Sequence, residues 1–325
     1  MAFLASFGKY LPPRVVTNAE LAPLLSADPA SIDPASIDPA SIDPAWIEEM
    51  SGIAERRWAE PEASVASLAA AAAQDALSRA NFPAAELDAI LVSCGSPERR
   101  FPGPAAEVQH LLGASRAFAL DLPLASAGSL FALAQADVLL SRFTAVLVVA
   151  AEKLSPTLLA PPIEKGTAML FGDGAGAALL LRDSGLARIT GFHLATDGAN
   201  AADLALPLSG PLHMNGRAVI LHASRKVPAA IRTLLDRHSL TPAEVPYFLM
   251  HQANANLITK IAQSLEVPPA RFFSNIARYG NTSSASLLIA AAEWQLAHGF
   301  SPSTPTIFAA FGAGFHWGAL LAHGV

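Results

Sequence analysis

LSRANFPAAELDAILVSC (Leu77–Cys94) and LDRHSLTPAEVPYFLMHQ (Leu235–Gln252) decide the fold. The two segments align without a gap at a shift of 158 residues, Glu244 falling on Glu86 (244 − 86 = 158). Arg79 matches Arg237, Ala85 matches Ala243, and an apolar run follows each Ala-Glu pair. Each copy reads as a helix end, a turn carrying proline, and a short buried strand. Carried onward, the shift sets Ser126 on Ser284 (284 − 126 = 158). Both serines open apolar helical stretches, SAGSLFALAQADVLL and SASLLIAAAEWQLAHG. Each half closes on a glycine-rich strand pair, LFGDGAGAALLL from Leu170 and AFGAGFHWGALLA from Ala310. There the shift falls to 140 (312 − 172 = 140), so the first half holds extra residues around 150 to 168.

Two copies of one strand–helix pattern predict a duplicated α/β unit, with halves at 1–182 and 183–325. Its sheets should be mixed and covered on both faces, because their strands read as continuous apolar runs. Related halves pack about a pseudo-twofold axis, which brings matching helix starts together in the interior. The segment 183–216, rich in Gly, Asp and Pro, reads as a covering loop between the halves. Over 28–45 the chain repeats DPASI, and a proline every fifth residue reads as a surface loop expanded by duplication.

Hydrophobic residues make up 52% of the 325, enough for a large interior, and alanine runs such as Ala69–Ala73 predict tightly packed helices. No stretch reaches the ~20 apolar residues of a spanning helix. The N-terminus passes directly into strand-like sequence and reads as no export signal. One cysteine, Cys94, excludes an internal disulfide and a multi-cysteine metal site. A net charge of −6 with scattered cations argues against nucleic acid. A cytoplasmic protein acting on a small or protein-bound substrate is the expectation.

Polar groups concentrate at LDLPLASAG around Ser126, MHQANAN around His251 and YGNTSSAS around Asn281. Taken singly, Ser126 and Asn281 read as helix caps or turns, and His251 as the end of a strand. Together they belong to the two related helix starts and one strand end, which a duplicated fold brings to its axis. An oxygen at a helix N-terminus meets a positive dipole. An imidazole and a carboxamide supply two donors for a developing oxyanion or enolate. Cys94, at the end of a buried strand, reads as packing.

The chain resembles the ketoacyl-acyl-carrier-protein synthase III family along nearly its whole length. The resemblance rests on YLPPRVVTNAEL (Tyr10–Leu21), AWIEEMSGIAERR (Ala45–Arg57), RFPGPAAEVQHLLGA (Arg100–Ala114), LFGDGAGAALL, HQAN, GNTSSAS and GFHWG. It implies a thiolase-like, five-layered αβαβα fold and an acyltransferase taking acyl-CoA or acyl-carrier-protein thioesters, with no cofactor or metal. The family's histidine and asparagine fall on His251 and Asn281, and its nucleophilic cysteine falls on Ser126. The resemblance further implies an oxyanion amide at Ala313 and substrate contacts at Trp46, Asn254 and Gly216. It implies a homodimer in which Phe101 reaches the neighbour's acyl pocket.

Departures from the family bear on the donor. Met50 stands where an arginine would pair with Trp46 around the nucleotide of coenzyme A, and Leu158 lies near a second such arginine. Leu221, Asn256, Gln263 and Ser264 replace cations that greet an acidic carrier, and His316 replaces a small residue. Serine in place of cysteine needs an active base, which His251 would supply. Three readings stay open: a native serine acyltransferase of fatty-acid-like or polyketide biosynthesis, a cysteine enzyme whose nucleophile was replaced, and a non-catalytic partner subunit. A serine hydrolase is disfavoured, since Leu124 stands where its elbow needs glycine. The run Gly172, Gly174, Gly176 precedes strand-like sequence and is a weak dinucleotide signal.

Overall fold

The computed structural model describes residues 2–26, 42–160, 163–207 and 210–325. The DPASI repeat lies outside the described residues up to 41; its last residues enter a short helix, Pro44–Ser51, capped by the Asp43 side chain.

The first half contributes β1 (Phe3–Tyr10), α1 (Val65–Ala80), β2 (Ala89–Ser93), α2 (Pro104–Leu111), β3 (Phe118–Leu122), α3 (Gly128–Leu139), β4 (Ala145–Glu152) and β5 (Gly174–Leu181). The second contributes β6 (Ala187–Thr196), α4 (Gly216–Arg237), β7 (Tyr247–Met250), α5 (Ala255–Ser264), β8 (Phe272–Phe273), α6 (Ser286–Ala297), β9 (Pro305–Gly312) and β10 (His316–Gly324). Strand order is β3-β2-β4-β5-β1 in one half and β8-β7-β9-β10-β6 in the other. In each half the first three strands of that order run parallel and the last two join antiparallel. The halves meet edge to edge where β1 pairs with β6 at Phe3↔Arg188 and Leu4↔Ala187.

The 158-residue shift holds in three dimensions. The helices α3 and α6 start at 128 and 286 and end at 139 and 297, each pair 158 apart. The strands β2 and β7 start at 89 and 247, the same interval. The extra first-half residues form short helices, Ser155–Leu158 and Lys165–Ala168, between β4 and β5, where β9 and β10 are joined by three residues, 313–315.

Burial explains the layering. α3 and α6 bury residues such as Leu130, Leu133, Leu287, Leu288 and Trp294, and they pack between strands of both halves. A helix apolar all round has nowhere to go but the interior. α1 and α2 cover the outer face of the first half's strands, α4 and α5 that of the second. The result is the five-layered αβαβα arrangement. Alanine sets the spacing of the outer layer: a Cβ at Gly8 of β1 would stand 2.2 Å from the Ala76 backbone nitrogen of α1. Gly176 has the same purpose inside, where a Cβ would meet Leu288 of α6 at 2.6 Å, so the glycine run serves helix–strand packing.

One expectation is corrected. The segment 183–216, read as a covering loop, opens with the ten-residue strand β6, which pairs with β10 along its whole length. Its sequence ARITGFHLAT mixes Gly, His and Thr with apolar residues and is half-buried through most of its length, so it lacks the apolar run of the other central strands. No helix among the described residues is long and apolar enough to cross a membrane.

Candidate active site

Leaving β3, the chain turns at Ser126 with φ +61°, a left-handed conformation uncommon for serine, and enters α3 two residues later. Such strain concentrates at functional sites. Ser126 is buried, and its N–H donates to Ser283 Oγ at 3.0 Å. The end of β9 presses on this turn. A Cβ at Gly312 would stand 2.3 Å from the Ala125 carbonyl oxygen and 2.9 Å from Ser126 Cβ, so glycine alone permits the approach.

His251 follows β7, its N–H donating to the Ala309 carbonyl of β9 at 3.0 Å. The ring is buried, and its Nδ1 lies 2.6 Å from Ser286 Oγ at the start of α6. Burial holds its pKa down at about 4, against a smaller upward pull from the Ser283 backbone, so the imidazole is neutral at pH 7. Asn281 follows Gly280 (φ +64°). Its Oδ1 accepts the Ser283 N–H at 2.8 Å, and its Nδ2 makes one long contact of 3.5 Å to the Ala253 carbonyl.

Ser126, His251 and Asn281 line one cavity of about 200 Å³, whose wall also includes Gly216, Asn254 and Gly312. Ala313 sits on the turn just beyond Gly312. Asn254 reaches the wall, yet its side chain caps α5 by accepting from Asn256 and Leu257 (2.8 and 3.2 Å) and donates to the Met50 carbonyl at 2.9 Å. Met50 lines the cavity and is 47% exposed; Trp46, one turn earlier, is 43% exposed and stands outside it. Ile220 on α4 lines the cavity and is exposed as well, so apolar side chains stand at the mouth, while Leu221 is exposed and does not line it. Asn256 Nδ2 is spent on the carbonyls of Glu49 and Met50, both at 3.1 Å. Leu158 is buried in a cluster with Val16 and Leu154 and does not line the cavity. Phe101 is 85% exposed and does not line this cavity. Cys94 is buried outside the cavity, its pKa raised by burial and by the nearby Glu152 charge, which leaves it inert. His316 Nδ1 lies 2.8 Å from Thr196 Oγ1, and its ring meets Phe131 edge-on.

Sequence reasoning missed Ser283 and Ser286. In TSSAS each serine has its own target: Ser283 the Ser126 amide, Ser284 the Glu152 carboxylate, Ser286 the His251 ring and the Gln252 N–H. The signal was present as a run of small hydroxyls at the mouth of an apolar helix.

A thiolase-type condensing enzyme is what these two fused halves and this shared cavity define. The family model described as 3-oxoacyl-[acyl-carrier-protein (ACP)] synthase III matches residues 120–198, and its C-terminal counterpart matches 235–323. The chain is 37% identical to a beta-ketoacyl-[acyl-carrier-protein] synthase III of Gloeobacter violaceus, over 98% of this chain and 97% of that one. It superposes on the 3-oxoacyl-[acyl-carrier-protein] synthase III of Aquifex aeolicus with a TM-score of 0.88 and 33% identity, covering 99% and 100% of the two chains. The priming β-ketosynthase of the R1128 polyketide pathway gives 0.86 and 29% identity, covering 100% and 96%. The chain belongs to the beta-ketoacyl-[acyl-carrier-protein] synthase III family and is an acyl-transferring condensing enzyme.

Proposed function

We propose that the chain takes an acyl group from a coenzyme A or carrier-protein thioester onto Ser126 Oγ and passes it to an acceptor. One observation carries the reading: Ser126 from the first half shares a cavity wall with His251 and Asn281 from the second. In the loading step Ser126 Oγ forms the new C–O bond, and the Ala313 N–H holds the carbonyl oxygen as it becomes anionic. His251, neutral at pH 7, accepts the hydroxyl proton and returns it to the leaving thiolate as the C–S bond breaks. With a malonyl-type acceptor, His251 and Asn281 donate to the enolate oxygen left by decarboxylation, a role supported by their sharing the cavity wall. Gly216 and Asn254 line the path of the donor's pantetheine arm. No cofactor or metal enters the scheme. We place the protein in the cytoplasm as a homodimer; the exposed Phe101, Phe118 and Leu120, the last two on edge strand β3, support a partner copy there.

A second reading has specific support. The ring partner of His251 is a serine hydroxyl, where a serine hydrolase places a carboxylate that stabilises the imidazolium. A thiol at position 126 would need no such help, so on this reading serine stands in for the reaction's cysteine. Intact-protein mass spectrometry with a panel of acyl-CoA and acyl-carrier donors decides between them. The serine enzyme gains one acyl mass, and Ser126→Ala abolishes the gain. An unmodified serine protein beside a fully active Ser126→Cys variant would refute the first reading. Inactivity of both forms would identify a non-catalytic partner subunit.

A further inference from the structure

The least expected charge in the protein is Glu152, the last residue of β4. It is completely buried, and no cation lies among its partners. Lys153 beside it spends its ammonium on the carbonyls of Glu60, Pro61 and Ala63. The Glu152 carboxylate accepts from Ser96 Oγ and Ser284 Oγ, both at 2.6 Å, from the Gly95 N–H at 3.0 and 3.1 Å, and from the Ser284 N–H at 3.3 Å. Cys94 Sγ lies 3.9 Å away. The oxygen and nitrogen partners all act as donors, which fits an ionised acceptor-only group. A buried carboxylate without a counter-ion costs several kcal/mol unless its hydrogen bonds are complete. Burial holds its pKa above the ordinary carboxylate value, and the Ser284 and Ser96 hydroxyls offset only part of that rise.

What those bonds hold is the turn 281–286. Ser284 is the anchor. Ser283 before it accepts the Ser126 N–H and donates its own N–H to Asn281, and Ser286 after it contacts His251. Glu152 and Ser126 belong to the first half, while Asn281, His251 and the serines belong to the second. Each active-site residue of the second half is therefore tied, through this turn, to a carboxylate on a first-half strand that does not line the cavity.

We infer that Glu152 is a positioning residue, which registers His251 and Asn281 against Ser126 by anchoring Ser284 across the junction of the halves. The inference rests on the proposed function for its kinetic readout but not for its structural one. The experiment uses the full chain carrying Glu152→Gln, nearly the same shape with an NH2 group in place of one of the two oxygens to which the hydroxyls now donate. Circular dichroism should report an unchanged fold. Hydrogen exchange read by mass spectrometry should show the Ser126 amide exchanging faster. Acyl loading at saturating acyl-CoA should fall about 10²-fold, the scale of a misplacement near 1 Å, with donor KM unchanged. Ser284→Ala should give the same pair of effects, and the double variant should be no worse than either, since residues in one network do not add.

The positioning role is overturned if the Ser126 amide exchanges at its wild-type rate in Glu152→Gln, or if the two substitutions add. Should Glu152→Gln fail to fold, Ser284→Ala alone decides, because it leaves Ser96 and Gly95 on the carboxylate. If the wild-type chain takes no acyl group, the proposed function falls, and Ser126 exchange still upholds or overturns the role of Glu152.

Discussion

Replacing His251 by asparagine should change the acid stability of the protein by an amount the structure fixes. The ring's pKa is held at about 4 in the fold and returns to the ordinary 6.5 when the chain unfolds. Between those values the unfolded chain binds a proton that the native chain refuses, so stability rises with pH through this window and falls on acidification. The gap (6.5 − 4) at about 1.36 kcal/mol per unit is worth roughly 3 kcal/mol. At neutral pH none of this loss has appeared; near pH 4 all of it has. His251→Asn has no proton to refuse, so the wild-type chain should lose about 3 kcal/mol relative to the variant on going from pH 7 to pH 4. Urea unfolding of both chains at matched concentration across this range measures the difference, and carboxylates common to both cancel. A difference that stays flat with pH would show a ring that titrates normally in the fold. A wild-type chain that gains relative stability in acid would mean that an unseen anion faces the ring.

The apolar mouth formed with Met50 and Ile220 should make the donor's nucleotide a minor contributor. A charge-assisted phosphate contact is worth about 1.5–3 kcal/mol, so removing the 3′-phosphate of coenzyme A should cost far less than tenfold in kcat/KM; a sharp loss would contradict this. Leu120→Arg, on edge strand β3, should convert the proposed homodimer to monomer in sedimentation without unfolding the chain, because Leu120 is 49% exposed in the isolated chain. A dimer that survives the substitution would place the interface elsewhere.

The duplication was readable because the same packing problem was solved twice. The helices α3 and α6 must both be apolar all round, and β2 and β7 must both be short and buried, so their patterns align. The strand β6 was not readable, since its half-buried faces carry Gly, His and Thr where a central strand ordinarily shows Val and Ile. That Ser126, His251 and Asn281 meet at one cavity was legible from helix and strand ends. The work of Ser283 and Glu152 was not, because it exists only where residues more than 100 positions apart meet, as with Ser126 and Ser283, or Glu152 and Ser284, and Ser286 reaches His251 across 35 positions. Asn254 shows the converse: its side chain is already occupied by a helix cap and a carbonyl, which no motif announces.

The strand β1 lies between β5 and β6, so the earliest strand of the chain has both its sheet neighbours far downstream. Phe3 pairs with Leu181 on one side and Arg188 on the other. During synthesis at about 5–20 residues per second, Phe3 emerges roughly 9 to 36 s before Leu181 is made (181 − 3 = 178 residues). Through that interval FLASFGKY is an apolar strand without a partner, open to any exposed edge nearby. Its first shelter is α1, complete about a hundred residues earlier than β5, against which Gly8 already fits. The ribosome thus hands a chaperone a long opportunity at β1 and a second one at β6, whose Thr196 waits 120 residues for His316 of β10 (316 − 196 = 120), whereas β10 itself follows β9 after three residues.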